Sequence, residues 1–174
     1  MDLRYGDVER ALVRAFKIQD TDVKAFRARI RHLRNLGVPD LPKSGSGRQI
    51  SYTLDHAREL YLALRLNQLG MMPDAIARLF ARIRPSIAKW FKAADEHPGN
   101  PVSALVACNN FGGQLGEDET TVFSIAAHQS SKSMTFAEAV ERYGTDKRGA
   151  PMIILPISAA NDAIKAALGI EGGA

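Results

Sequence analysis

Residues 20–60 read DTDVKAFRARIRHLRNLGVPDLPKSGSGRQISYTLDHAREL. Lys24, Arg27, Arg31 and Arg34 recur at spacings of three, four and three, beside a separate apolar row of Val23, Phe26, Ile30 and Leu33. Both spacings are those of a helical face, so one side of this helix can be buried while the neighbouring side meets a polyanion. Asp20 and Thr21 are good capping types at its start, and Asp20 and Asp22 lie where the helix dipole favours negative charge. Gly37 can take the left-handed conformation that ends a helix, and Pro39 blocks continuation. The segment therefore predicts a helix over Thr21 to Leu36.

Upstream, Val8, Leu12, Val13 and Phe16 share a face, and Asp7 can cap the amino end. A helix is expected from about Tyr5 or Asp7 to Phe16, followed by a short turn of Lys17, Ile18 and Gln19. Two helices joined by a tight turn form a helix-turn-helix candidate. Downstream, residues 39–53 (PDLPKSGSGRQISYT) hold two prolines and two glycines and then alternate Arg48, Gln49, Ile50, Ser51, Tyr52. They read as a two-stranded wing with a basic tip, Lys43 to Gly47. Thr53 can cap an apolar helix from Leu54 to Leu69, which Gly70 ends. Pro73 opens a helix to about Arg84, and Pro85 is expected to interrupt it before a last helix containing Ile87, Trp90, Phe91 and Ala94. Trp90 and Phe91 read as interdomain or dimer core.

The charge is distributed unevenly. Residues 1–97 carry 18 Lys/Arg against 11 Asp/Glu, whereas residues 98–174 carry 5 against 8. Between Lys24 and Arg48 there are seven basic residues and one acid, Asp40. The basic half is the polyanion-binding candidate. His97, Pro98, Gly99, Asn100 and Pro101 coincide with the change of sign and mark the expected boundary between residues 1–97 and 102–174. Beyond it, Val102 to Cys108, Thr121 to His128 and Met152 to Ile157 read as strands. Thr135 and Glu138 form a capping-box pair for a helix ending near Tyr143, and a last helix runs from Ser158 or Ala159 to Leu168. The expected class is α+β, with a mostly helical N-terminal domain followed by a small α/β domain of order β-β-α-β-α. So small a domain is marginal alone, so self-association is expected there, and residues 102–174 read as a domain for dimerisation or sensing.

Other chemistries find little support. The hydrophobic and charged fractions, 45% and 24%, are those of an ordinary globular protein. No apolar run approaches a membrane span and no secretory leader is evident, so no membrane partner and a cytoplasmic location are expected. Cys108 is the single cysteine and reads as a buried small hydrophobe; His32, His56, His97 and His128 lack metal-ligand spacing. Gly112 and Gly113 lack the helix start and lysine of a phosphate loop. No catalytic constellation stands out, no cofactor is implied, and the chain is not expected to be an enzyme.

Several motifs resemble the MerR-like winged-helix transcription regulators. Family members read I-R-Y-Y-E-R-E-G-L at the end of the recognition helix, and this chain has I-R-H-L-R-N-L-G-V from Ile30 to Val38. A basic wing follows, then a Tyr-Ser/Thr step into an acid-tipped helix, matched by Tyr52, Thr53 and Asp55. The family's L-G-[FM]-x-x-x-x-I is matched by Leu69, Gly70, Met71 and Ile76. The resemblance spans about residues 8–80. It implies a winged helix-turn-helix fold, double-stranded DNA and RNA polymerase as partners, and a homodimer. It also implies Arg31 at the family's DNA-contacting arginine, Arg48 near the wing arginine and Tyr52 at the wing's closing aromatic. The chain departs from the pattern at His32 and Leu33, where the family has two tyrosines. Pro85 and Pro98 are expected to confine any later helix to about a dozen residues, too short for the family's antiparallel dimerisation helix.

Independently of the resemblance, an α-helix fits the major groove, where Arg or Lys can bridge guanine O6 and N7 while neighbouring cations neutralise phosphates. Arg27 and Arg31 are the expected base readers and Lys24, Arg34, Lys43 and Arg48 the expected phosphate contacts. Ser44 and Ser46 let the wing approach the backbone. The expected function is a bacterial-type, sequence-specific DNA-binding transcription regulator. An architectural or phage-type factor without ligand control, and an interaction module whose basic helix binds an acidic protein, are the alternatives.

Overall fold

A computed structural model describes residues 2–42, 50–98, 102–107, 122–123 and 152–170. Over these the chain is mostly helical with one small sheet, a coarse α+β architecture. The helices are α1 (Tyr5–Ala15), α2 (Val23–Asn35), α3 (Leu54–Gln68), α4 (Pro73–Glu96) and α5 (Ile157–Leu168); the strands are β1 (Ser103–Ala107), β2 (Val122–Phe123) and β3 (Met152–Pro156). The expected wing tip from Lys43 to Gly47, the helix from Thr135 to Tyr143, Cys108 and His128 lie outside the described residues. The chain divides into two compact units, Met1–Ala81 with Ala160–Ala174, and Arg82–Ala159.

In the first unit α1, α2 and α3 pack against one another. Asp7 does cap α1, from its third position: its Oδ2 accepts the Arg4 N–H at 2.9 Å. The helix ends with Lys17 in the left-handed region at φ 51°, where Lys17 N–H donates to Arg14 O and Ile18 N–H to Val13 O, each at 3.0 Å. α2 closes in the same way with Gly37 at φ 86°, through Gly37 N–H to Arg34 O and Val38 N–H to Leu33 O. Gly37 meets no steric penalty in this conformation, whereas a lysine there costs about 1 kcal/mol. The residues of the expected first turn of α2, Asp20–Asp22, form a 3₁₀ turn, so the α-helix itself starts at Val23.

Phe26, Ile30 and Leu33 of α2 are buried, as the apolar spacing requires. The Phe16 ring joins all three helices, with its centroid 5.4 Å from that of Phe26 and 4.8 Å from that of Tyr61. Arg65 lies 4.5 Å from the centroid of the same ring and donates to Tyr61 Oη at 2.8 Å. Thr53 caps α3: its Oγ1 accepts from His56 N–H at 3.3 Å, and His56 Nδ1 accepts from Thr53 N–H at 3.1 Å. His56 thus takes the place that glutamate usually holds in such a box. α3 is buried nearly all round, including Arg58 and Glu59. The Arg58 guanidinium donates to Asn161 Oδ1 through Nε at 3.0 Å and Nη2 at 2.6 Å, and through Nη1 to Asp55 at 2.8 Å. This contact ties the C-terminal part of α5 to the N-terminal unit.

α4 corrects the expectation that Pro85 breaks the chain into two short helices: it runs unbroken for 24 residues through Pro85. Ile76, Phe80, Ile83, Ile87, Trp90 and Ala94 form one buried row along its length. Pro85 stands on the opposite, exposed face, where its ring meets solvent and the Ala81 carbonyl it leaves without a helical donor can turn to water. Burial of that row outweighs the local cost of proline. A long helix is therefore present, but its apolar row is already buried within a single chain. The two units meet in sequence at Ala81–Arg82 within α4 and again at Ala159–Ala160 within α5; part of the expected boundary, residues 99–101, lies outside the described residues.

The second unit holds a three-stranded antiparallel sheet of order β2-β1-β3. Ser103 pairs with Pro156 and Ala107 with Met152, which makes β1 central. Ile153 and Leu155 are buried while Ile154 is 44% exposed, the alternation of a strand with one wet face. Val102 N–H donates to Ser158 Oγ at 2.9 Å and Ser158 N–H to Val102 O at 3.1 Å, which seats the start of α5 beside the central strand.

Candidate nucleic-acid interface

α2 is VKAFRARIRHLRN, thirteen residues with five Lys/Arg and no acid. Its buried residues lie on one side, and Lys24, Arg27 and Arg31 fall outside that face and are exposed. From Lys24 to Arg31 the helix rises by about 10 Å, close to three base-pair steps of duplex DNA. Arg29 is also exposed but projects from the other flank, next to His32. Exposure of cations alone is not distinctive. α4 exposes Lys89 and Lys92 as well, but acids follow there, and Lys92 Nζ lies 3.6 Å from Glu96.

Arg27 is the one member of the stripe with an acidic partner among the described residues. Its Nε donates to Glu9 Oε1 at 2.6 Å, with the Arg27 side chain 52% exposed and that of Glu9 only 13%. Glu9 projects from α1, so the contact also pins the two helices together. Nothing in the sequence near α2 announces it, because the acid lies eighteen residues upstream.

Two expected contact residues have other roles. Arg34 is half-buried, and its guanidinium carbon lies 4.4 Å from the Tyr5 ring centroid and 5.6 Å from that of Tyr52. It sits in a cation–π cage of Tyr5 and Tyr52, on the flank of α2 beside the buried row. Tyr52 is 1% exposed and cannot present its ring to a ligand. Its backbone forms an antiparallel bridge with Leu3, through Leu3 N–H to Tyr52 O at 2.8 Å and Tyr52 N–H to Leu3 O at 2.9 Å. Ser51 Oγ donates to Asp2 at 3.0 Å beside it. The segment leading out of residues 43–49 is thus fastened to the N-terminus of the chain. Lys43, Ser44, Ser46 and Arg48 lie outside the described residues.

The Tyr5, Tyr52 and Arg34 cluster is electrostatically uneven. Among the described residues, Tyr5 Oη, Tyr52 Oη and Arg34 Nε are buried atoms with no hydrogen-bond partner. Burial pushes both phenols above their ordinary value near 10, and the nearby Arg34 charge opposes the shift in part. Glu9 adds to the rise at Tyr5.

Among the described residues no helix is long and apolar enough to cross a membrane. Comparison with protein-family models and with curated proteins returns no match.

Proposed function

We propose that the chain is a sequence-specific, double-stranded DNA-binding transcription regulator of the MerR-like winged helix-turn-helix type, with α2 as its recognition helix. The observation that carries this reading is the acid-free α2, with its apolar row buried and Lys24, Arg27 and Arg31 facing water. A helix of this kind fits the width of the major groove, and Lys24 and Arg31, without an acidic partner among the described residues, can release counterions from phosphates. Supporting features are the tight α1–α2 turn, the left-handed Gly37 and Gly70 where the resembling motifs carry glycine, and the Thr53 cap at the start of α3. Arg34 and Tyr52 are left out of the interface, and Lys24, Arg27 and Arg31 form its centre.

Selection of genomic duplex fragments by the purified protein, followed by footprinting, tests this reading. The expected result is a defined motif protected in the major groove. A homodimer would protect two half-sites about one helical turn apart, in inverted orientation. Arg31→Glu should abolish enrichment while the far-ultraviolet spectrum stays unchanged. Failure of the wild-type protein to enrich any fragment would remove the DNA-binding reading and favour an acidic protein partner for the same stripe.

A further inference from the structure

We infer that Glu9 is a positioning residue for base readout, holding the Arg27 guanidinium so that its two terminal nitrogens present themselves to guanine O6 and N7. The inference rests on the DNA-binding reading above and assigns a division of labour within its stripe. Glu9 engages Arg27 through Nε alone, at 2.6 Å. Among the described residues Nη1 and Nη2 make no hydrogen bond, so the end of the fork that matches guanine stays available. Glu9 itself is mostly buried, and a carboxylate in that position needs a cation beside it. It is therefore a durable anchor, unlike an acid on a mobile surface side chain.

The charge of the pair points the same way. A carboxylate 2.6 Å from the guanidinium offsets part of its charge, an effect that solvent screens at this half-exposed site, and disfavours a phosphate approaching the same place. Guanine recognition does not require net charge, because it uses two directed donors against two neutral acceptors. Fixing the guanidinium in advance also removes the ordering cost that a free arginine meets on binding. Lys24 and Arg31 lack any such acid among the described residues and keep their full charge for phosphates. One residue of the stripe thus reads a base while its neighbours hold the backbone.

Binding selection on randomised duplexes, run for the wild type, Glu9→Gln and Arg27→Gln, tests the assignment with base preference and salt dependence as separate readouts. The wild type should prefer guanine at one position of its motif. Glu9→Gln should lose about tenfold or more of that preference. It should do so without a shallower salt dependence, since no phosphate contact is removed. Arg27→Gln, which removes the fork, should lose the same preference; because the Arg27 side chain is 52% exposed, this variant keeps its fold even if Glu9→Gln is unstable. The inference is overturned if Arg27→Gln keeps its guanine preference, or if a folded Glu9→Gln does. It is also overturned if Arg27→Gln weakens all sequences equally and flattens the salt dependence by about one phosphate. A wild type that binds no duplex at all would instead remove the DNA-binding reading beneath it.

Discussion

α2 and α3 lie against each other in one unit and treat charge in opposite ways. α2 buries three of its thirteen residues and leaves Lys24, Arg27 and Arg31 in water. α3 buries nine of fifteen, and the cation it buries, Arg58, is met by Asn161 and Asp55. Removing a guanidinium from water is costly unless its donors are satisfied, so the buried arginine comes with a built set of acceptors. The exposed stripe has no such set, apart from Glu9. A protein that supplies partners so carefully in one helix and omits them in the next leaves α2 available to an external polyanion.

The largest effects should fall on the apolar rows, where the two helices behave alike. Ile30→Ala in α2 and Leu60→Ala in α3 each remove a fully buried side chain and should cost about 3 kcal/mol, read from urea unfolding midpoints. A much smaller loss at Ile30 would mean that α2 is only loosely attached. Asn161→Ala should come next, at about 2 kcal/mol, because it withdraws the acceptor of two hydrogen bonds from a buried guanidinium. Asn161→Asp, which keeps the acceptor, should recover most of that loss.

Tyr52→Phe should act in the other direction, raising stability by about 1 kcal/mol, since it deletes a buried hydroxyl without a partner. The raised phenol values add a pH signature. Folding holds the Tyr5 and Tyr52 protons to higher pH than the unfolded chain does. Their contribution is therefore complete below the ordinary value near 10 and is lost as pH rises through the folded value. Unfolding midpoints should fall above pH 10, and less steeply in Tyr52→Phe than in the wild type. The smallest stability effect belongs to Arg31→Glu, within about 0.5 kcal/mol, since the residue is exposed and makes no internal bond among the described residues. A large stability loss there would place Arg31 in the fold instead of the interface.

The parts of the fold that were legible in the sequence are those whose causes are local. The α1, α2 and α3 helices follow from apolar spacing, and their ends from Asp7, Gly37, Thr53 and Gly70, each acting within a few residues. Pro85 misled because the local rule against proline yields to a buried row extending from Ile76 to Ala94. The site was legible only in its stripe. Glu9 and Arg27 are far apart in sequence, as are Arg58 and Asn161, and no spacing rule connects them. Arg34 shares the period of the stripe, yet the rings of Tyr5 and Tyr52 decide where it goes. Tyr52 is expected from the sequence as the wing's closing aromatic, whereas its burial goes with a bridge to Leu3 at the other end of the unit, which no local spacing announces.

The central claim is that the exposed cations of α2 neutralise DNA phosphates, and the salt dependence of duplex binding tests it most directly. The logarithm of affinity should fall linearly with the logarithm of salt, at about −0.9 for each neutralised phosphate. Lys24→Gln and Arg31→Gln should each make that slope shallower by about the same amount while the protein remains folded. A flat dependence in the wild type, or slopes unchanged in both variants, would contradict the account.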